Sequence, residues 1–270
     1  MLVVTCVKQV PDTTQIEVDP HTGTLIREGV PFIMNPFDAH ALEESLRLKD
    51  KYGLRVAVIS MGPPNTEATL RKALALGADE AMLLSDRAFG GADTLATSLV
   101  LAEAIKRLGR HEDVIMVLCG RQTIDGDTAQ VGPGIATRLG YSQLTLVDLI
   151  ENLSVQDRRV TVRRRLEGWH EVVEAPLPAV IAVVREINRP RYPNVPMKLI
   201  AEESTIPLWD NKVMGLKEDT VGLKGSATLV RKIFSPERAG GEILGDGVKD
   251  PQGAASLLVD RLIEKGFICA

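Results

Sequence analysis

The segment Gly120–Pro133 is rich in glycine, hydroxyl and amide groups, and its residue types suit the binding of an anion. It follows an apolar, strand-like run and precedes a helical pattern. The first N–H groups of a helix have no internal partners and lie at the positive end of its dipole, so a phosphate group can bind there. Gly126 lets the backbone approach a phosphate closely, and Thr128 and Gln130 supply neutral donors.

Two carboxylates in the same segment, Asp125 and Asp127, would repel a phosphate at which they pointed. We therefore expect them to cap the following helix or to bind hydroxyl or N–H groups. The sequence Asp-Gly-Asp-Thr is also common at an ordinary capped helix start. The segment alone leaves both interpretations open.

Three further turns are predicted at the same edge, because the carboxyl ends of parallel strands meet at one edge of a sheet. They are Cys6–Lys8, Asn35–Asp38 and Ser60–Gly62. Four turns at one edge favour a pocket more strongly than any one of them alone. For Lys8 by itself, a solvated lysine at a strand end is the competing interpretation, since most lysines are exposed.

The elements that carry these turns alternate between strand and helix. Apolar, β-branched runs predict buried strands at residues 2–7, 55–60, 81–84, 113–118 and 179–184. Helical patterns follow, with starts at Asp38, at residue 66, at Asp93 or Thr94, and at Asp127 or Thr128. This alternation predicts an α/β fold with a mostly parallel, doubly wound sheet.

Two additions to this core are predicted. Residues 15–33 suggest a hairpin with a turn at 19–23, and strands at 144–152, 155–166 and 169–174 suggest an antiparallel extension of the sheet. From about residue 185 the chain is rich in proline and glycine, with a short helix near 196–203 and an amphipathic helix at 251–265. We expect an α/β domain over residues 1–190 and an extended C-terminal arm over 191–270 that lies on a partner.

Composition excludes several function classes. The formal net charge of −4 argues against nucleic-acid binding, and no apolar run reaches membrane-spanning length. The three cysteines and four histidines show no metal-ligand spacing. The cysteines are odd in number and far apart in the sequence, which favours free thiols in a reducing cytoplasm. Gly-x-Gly-x-x-Gly after the first strand, the P-loop and the Gly-x-Ser-x-Gly elbow are absent, so no catalytic residue or metal ligand is predicted.

Taken in order, several segments resemble the electron transfer flavoprotein β-subunit family. They cover residues 1–200 in family order and spacing: Val7–Asp12, Met34–Phe37, Glu43–Lys49, Gly62–Pro63, Ala73–Asp79, Gly120–Asp127, Leu177–Val180 and Asn188–Tyr192. The tail beyond residue 200 resembles the family only in character, as an arm that wraps the α subunit.

The resemblance implies an adenine-nucleotide α-hydrolase-like fold and one of two nucleotides. In ordinary members the β subunit holds AMP as a structural ligand and the redox-active FAD lies mostly in the α subunit. A second subgroup carries FAD in the β site and splits the electron pair of NADH between two acceptors. The Lys8–Asp12 and Gly120–Pro133 segments resemble this second subgroup. Ordinary members have lysine in place of Arg121 and an acidic residue in place of Gly126.

The resemblance also implies site residues and partners. Cofactor contacts are expected at Cys6, Lys8, Asn35, Pro36, Phe37, Asp38, Met61, Gly120, Arg121, Gln122, Thr123, Ile124, Asp125, Gly126, Asp127, Thr128, Ala129, Gln130 and Val131. A docking loop for partners is expected at Ile187, Asn188, Arg189, Pro190, Arg191 and Tyr192, with isoleucine where the family often has leucine. The implied partners are the α subunit and acyl-CoA dehydrogenase or other flavoprotein, ferredoxin or quinone-linked acceptors.

Three functions remain open at this point: a bifurcating subunit with FAD that meets NADH, a β subunit with structural AMP, and a nucleotide sensor resembling universal stress proteins. A flavin site would need a positive group for the reduced ring, which Arg121 or Lys8 can supply. The sensor leaves the proline- and glycine-rich arm and the Arg189–Tyr192 loop without a role.

Overall fold

A computed structural model of the chain describes residues 1–12, 31–231 and 240–268, together with the backbone pairing of residues 17–18 with 25–26. The chain divides into two compact units, Met1–Lys232 and Ile233–Ala270. The strands are β1 (Leu2–Cys6), β2 (Gln9–Pro11), β3 (Glu17–Val18), β4 (Leu25–Ile26), β5 (Phe32–Met34), β6 (Arg55–Met61), β7 (Glu80–Leu84), β8 (Val114–Gly120), β9 (Ser142–Ser154), β10 (Arg159–Leu166), β11 (Trp169–Pro176), β12 (Ala179–Val183) and β13 (Leu208–Trp209). The helices are α1 (Pro36–Tyr52), α2 (Glu67–Leu76), α3 (Thr94–Leu108), α4 (Val131–Leu139), α5 (Val195–Glu203), α6 (Asn211–Met214) and α7 (Pro251–Glu264).

A nine-stranded sheet forms the centre of the first unit, in the order β11-β10-β9-β12-β8-β1-β6-β7-β13. Seven neighbouring strands of this sheet pair in parallel, in the order β9, β12, β8, β1, β6, β7 and β13. At the β9 edge, β10 and then β11 are added in antiparallel orientation. The predicted α/β class, the mostly parallel sheet and the antiparallel extension are confirmed. The predicted hairpin has its pairing in β3 and β4, while its turn at 19–23 lies outside the described residues.

Helices cover both faces of the sheet, because successive side chains of a buried strand point to opposite faces. On one face, Val3 and the other strand side chains that point to the same side pack with apolar side chains of α1 and α2, such as Leu42 and Leu70. On the other face, Leu2 and the strand side chains that point to its side pack with apolar side chains of α3 and α4, such as Ile105 of α3. The aliphatic composition therefore builds two cores around one sheet.

The order of the strands reverses between β1 and β8. From β1 the chain passes through α1 to β6 on one side, and after α3 it returns to β8 on the other side of β1. Because α1 and α4 lie on opposite faces, the chain segments that leave β1 and β8 diverge. This is the topological switch point, where open α/β sheets form a crevice at the carboxyl ends of their strands.

Two predicted helix starts were wrong. Helix α1 begins at Pro36, with Asn35 in the capping position, so Asp38 lies inside the first turn and does not cap it. Proline at the first helical position is the local signal for this start. Helix α4 begins at Val131 instead of Asp127 or Thr128, because Asp127 and Ala129 have φ angles of 51° and 56°, in the left-handed region that a right-handed helix excludes.

The first unit extends beyond the boundary expected at residue 190. Helix α5 packs against α2, Arg71 donates to the carbonyl of Ala201, and β13 pairs with β7 at the sheet edge. Residues 191–231 are therefore built onto the α/β body. None of the helices in the described part of the chain combines the length and apolar character needed to cross a bilayer.

Candidate functional site

The turn after β1, the first turn of α1 and the loop after β8 meet at the switch point. Asp38 joins all three: its Oδ2 accepts the backbone N–H of Lys8 at 2.8 Å and its Oδ1 accepts that of Gly120 at 3.0 Å. Burial raises the pKa of Asp38 to about 7, against the lowering effect of these hydrogen bonds. Three of the four turns predicted at this edge are thus in direct contact.

Asn35 adds a second connection between α1 and the loop after β8. Its side chain is fully buried; Nδ2 donates to the carbonyl of Gln122 at 2.9 Å, and Oδ1 accepts the N–H of Ile124 at 3.2 Å. The N–H of Asn35 itself donates to the carbonyl of Lys8. A single amide side chain therefore fixes the path of the loop as it leaves the sheet.

The two carboxylates of the loop are both engaged by donors. Lys8 Nζ contacts Asp125 Oδ2 at 2.7 Å, and Gln122 Nε2 donates to Asp127 Oδ1 at 2.7 Å. Burial favours a raised pKa for Asp125, but the hydrogen bonds from Lys8 and Thr123 outweigh it and hold that pKa below its ordinary value. Neither residue caps α4, whereas the expectation that they bind donors is met within the chain.

The loop from Arg121 to Gln130 is a turn-rich segment with unused donors. The backbone N–H groups of residues 128–132 form no hydrogen bond within the described part of the chain, and Thr128 and Gln130 are exposed. Donors of this kind, just before and at the start of α4, suit an anionic group such as a phosphate. The anion-binding geometry is therefore provided by the loop and the helix start together.

Two glycines of the loop differ in what surrounds them. A Cβ at Gly120 would lie 2.5 Å from Asp38 Oδ1 and 2.6 Å from Phe37 Cβ, so only glycine permits this close approach. A Cβ at Gly126 would meet only Thr123 Oγ1, at an ordinary 3.5 Å. The fold therefore needs glycine at position 120, while the bare backbone at position 126 leaves room for another molecule.

The two thiols at the strand ends are protonated and inert. Burial raises the pKa of Cys119 to about 12 and the pKa of Cys6 well above its ordinary value, and the charge of Asp38 adds to both effects. Both side chains are buried in the core on the α3 and α4 side of the sheet. Within residues 1–12, 31–231 and 240–268, no group of three or more His, Cys, Asp or Glu side chains is arranged to hold a metal ion.

The turn after β6 contributes features that the sequence patterns did not indicate. Met61 is partly buried at the end of β6. Beside it, the buried hydroxyls Ser60 Oγ and Thr66 Oγ1 have no hydrogen-bond partner among the described residues. Buried hydroxyls are usually paired, so these two are candidates for contact with a bound molecule.

The candidate cations differ in their partners. Lys8 is tied to Asp125, whereas Arg121 is exposed and forms no ion pair within the described residues. Arg185, which the patterns did not single out, lies 4.5 Å above the ring of Phe37 and places a third positive charge near the crevice. Of these three cations, Arg121 and Arg185 form no ion pair with an acid within the described residues, and Arg121 is the one that lies on the loop after β8.

The predicted docking loop is half anchored and half exposed. Ile187 is buried in the core, Asn188 bonds to His40 and Glu44, and Arg191 makes a bidentate contact with Glu43. The remaining residues are exposed: Arg189, Pro190 and Tyr192, the last with 94% of its surface accessible. Ile187 therefore does not present an apolar anchor to solvent.

Comparison with known proteins places this chain in a family. The sequence profile of the electron transfer flavoprotein domain matches residues 22–210. The chain is 47% identical over 269 residues to the caffeyl-CoA reductase–Etf complex subunit CarD of Acetobacterium woodii, covering 99% of this chain and 100% of the relative. It is 48% identical over 269 residues to the electron transfer flavoprotein subunit beta of Clostridium acetobutylicum, with the same coverage.

A third relative is the protein FixA of Azotobacter vinelandii, which is 44% identical over 262 residues, or 96% of this chain and 93% of the relative. These matches span the α/β body and most of the C-terminal residues. Together with the domain match over residues 22–210, they show that the chain belongs to the electron transfer flavoprotein β-subunit family.

Proposed function

We propose that this chain binds FAD at the switch point between β1 and β8. Paired with an α subunit, as β subunits of this family are, it passes electrons from NADH to acceptors by flavin-based bifurcation. The observation that carries the proposal is the convergence at Asp38 of the Lys8 turn and the Gly120 loop, with unused N–H donors at residues 128–132.

The residues present suit a dinucleotide. The unused N–H groups and the bare backbone at Gly126 suit a diphosphate, and the buried Cys6 and partly buried Met61 supply apolar walls for an adenosine group. The guanidinium of Arg121 has no acid partner among the described residues, so its charge is available to a reduced, anionic flavin ring. FAD, when bound, supplies the exchange between the electron pair of NADH and single electrons.

The alternative is AMP in this chain, with electrons from dehydrogenases passing through FAD in the α subunit. AMP has one phosphate and no isoalloxazine ring, so with AMP bound Arg121 has no flavin ring to stabilise. One relative is named as part of a caffeyl-CoA reductase–Etf complex, which supports an acyl-CoA-linked flavoenzyme as one acceptor of this chain. Ferredoxin and quinone-linked proteins complete the proposed classes of acceptor.

We assign contact with the α subunit to the C-terminal residues. In the second unit, Asp250 accepts the N–H of Gly253 and caps α7. Its Leu257, Leu258 and Val259 are about half exposed, and such apolar groups on one helix are typical of a covered surface. The exposed Arg189 and Tyr192 then serve docking of acceptors, and the complex acts in the cytoplasm.

The substitution Gly126→Asp tests the FAD site, because it places a carboxylate where the diphosphate is proposed to lie. We expect the αβ complex that carries Gly126→Asp to lose most of its FAD from this chain, as measured by release of flavin on denaturation. Gly126→Ala is the matched control: its Cβ would meet only Thr123 Oγ1 at 3.5 Å, so FAD should be retained. Unchanged FAD content with Gly126→Asp would overturn the proposal.

A further inference from the structure

The carboxylate of Asp38 bridges the two strands that border the switch point. The last ladder pair between β1 and β8 is Cys6 with Cys119, and beyond it the two chain segments separate. The N–H of Val7 still donates to the carbonyl of Ile59, and the N–H groups of Lys8 and Gly120 then both donate to Asp38. One side chain therefore continues the connection where the sheet ends.

Both carboxylate oxygens of Asp38 are engaged by the protein backbone. Asp38 is buried, and each of its oxygens already accepts a backbone N–H, at 2.8 Å and 3.0 Å. It also lies in the first turn of α1, where the helix dipole stabilises a negative charge. The contacts of its carboxylate within the chain are thus with backbone groups of the two turns.

We infer that Asp38 is a positioning residue for the nucleotide site, whose ionised carboxylate holds the Lys8 turn and the Gly120 loop at the separation that nucleotide binding requires. The inference rests on the proposed binding of a nucleotide to this chain. Gly120 supports it independently, because a Cβ there would lie 2.5 Å from Asp38 Oδ1 and force the two apart. The close contact is therefore built into the residue types on both sides.

The charge state of Asp38 gives the inference a pH dependence. Burial raises its pKa to about 7, and the groups that face it are Cys6, Lys8 and Asn35 on one side and Cys119 and Gly120 on the other. Both thiols have raised pKa values and stay neutral near pH 7. Protonation of Asp38 weakens one of its two accepted hydrogen bonds, so the bridge is complete above pH 7 and is lost as the pH falls through 7.

The first test compares Asp38→Asn with Asp86→Asn in the αβ complex, stripped of nucleotide and titrated with FAD and, separately, with AMP. Asp86 is a matched control, since it too accepts two backbone N–H groups, from Ala88 and Asn211, but at the end of β7. We expect wild-type affinity to fall roughly tenfold from pH 8 to pH 6, following the ionised fraction of a group with a pKa near 7. Asp38→Asn should bind weakly at both pH values, and Asp86→Asn should keep the wild-type profile.

The second test separates this inference from the proposed nucleotide function, because it needs no ligand. Hydrogen exchange in the nucleotide-free complex, corrected for the intrinsic effect of pH, should be faster at residues 7–9 and 119–121 at pH 6 than at pH 8. Asp38→Asn should show the faster exchange at both pH values. A wild-type complex with equal protection at both pH values overturns the inference, as does an Asp38→Asn complex that binds FAD and AMP with the wild-type pH profile. If hydrogen exchange depends on pH as expected but the complex binds neither FAD nor AMP, the inference about Asp38 stands and the proposed function is contradicted.

Discussion

The ammonium group of Lys8 lies 2.7 Å from the carboxylate of Asp125, although 117 residues separate the two in the sequence. Lys8 contacts both oxygens of Asp125, so the turn after β1 is fastened to the middle of the loop after β8. Both side chains are partly exposed, and solvent weakens their attraction. The ion pair joins the two segments at the surface, whereas Asp38 joins them inside the protein.

Lys8→Met should loosen the loop without unfolding the chain. We expect FAD affinity of the αβ complex to fall about three- to tenfold, the range that corresponds to an exposed ion pair of about 1 kcal/mol. Lys106→Met is a matched control, since Lys106 lies 2.7 Å from Glu103 with nearly the same exposure but on α3. Equal FAD affinities for the two variants, measured by fluorescence titration at low salt, would show that the Lys8 pair does not shape the site.

Gly120→Ala should damage the site and the fold together. The added Cβ would lie 2.6 Å from Phe37 Cβ and 2.7 Å from the Phe37 carbonyl carbon, and the backbone cannot yield as a flexible side chain can. Overpacking of this kind costs about 1–3 kcal/mol, so the thermal midpoint of the complex should fall by several degrees. Gly126→Ala should leave the midpoint unchanged. A Gly120→Ala complex as stable as wild type would mean that the contact between α1 and β8 is looser than described.

The two arginines of the docking loop should have separable effects. Arg191 contacts the buried Glu43 through two nitrogens, so Arg191→Met leaves a buried carboxylate unpaired and should lower the thermal midpoint by a few degrees. Arg189 is exposed and has no ion pair in the described residues. Arg189→Met should therefore leave the midpoint unchanged and slow electron transfer to an acyl-CoA dehydrogenase at low ionic strength. If Arg191→Met slows electron transfer and Arg189→Met does not, Arg189 has no role in docking.

Removal of residues 233–270 should leave the first unit folded and abolish pairing with the α subunit. The first unit has its own two-sided core, whereas α7 exposes apolar groups. Leu257→Asp combined with Leu258→Asp should have the same effect, and Asp260→Asn, also on α7, should not. Co-elution of the truncated chain with the α subunit in gel filtration would locate the main contact elsewhere in the chain.

The fold was predictable where local chemistry and long-range packing agree. Apolar, β-branched runs indicated the central strands, and Asp93 caps α3 as expected, through its side-chain bond to the N–H of Ala96. Strand β13 was not predictable, because two residues show no alternation and the strand exists only through its pairing with β7. The start of α4 was mistaken because Asp and Thr residues suit a loop as well as a cap, and two left-handed residues decide between them here.

The sequence predicted where the site lies in the fold, but not which side chains contact one another there. Parallel strands bring their carboxyl ends to one edge, so the meeting of the Lys8 turn with the Gly120 loop follows from strand order. The role of Asp38 does not, because it depends on a contact between residues 82 positions apart. The unpaired hydroxyls of Ser60 and Thr66 were missed for the same reason, since serine and threonine are satisfied in most turns.

The most direct test of the central claim is to count the nucleotides in the intact complex. The chain would be co-expressed with its α subunit, purified without oxygen and denatured, and the released FAD and AMP would be quantified per heterodimer. Binding of FAD to this chain predicts two FAD and no AMP. One FAD with one AMP would contradict it, and would make the nucleotide at the switch point a structural ligand.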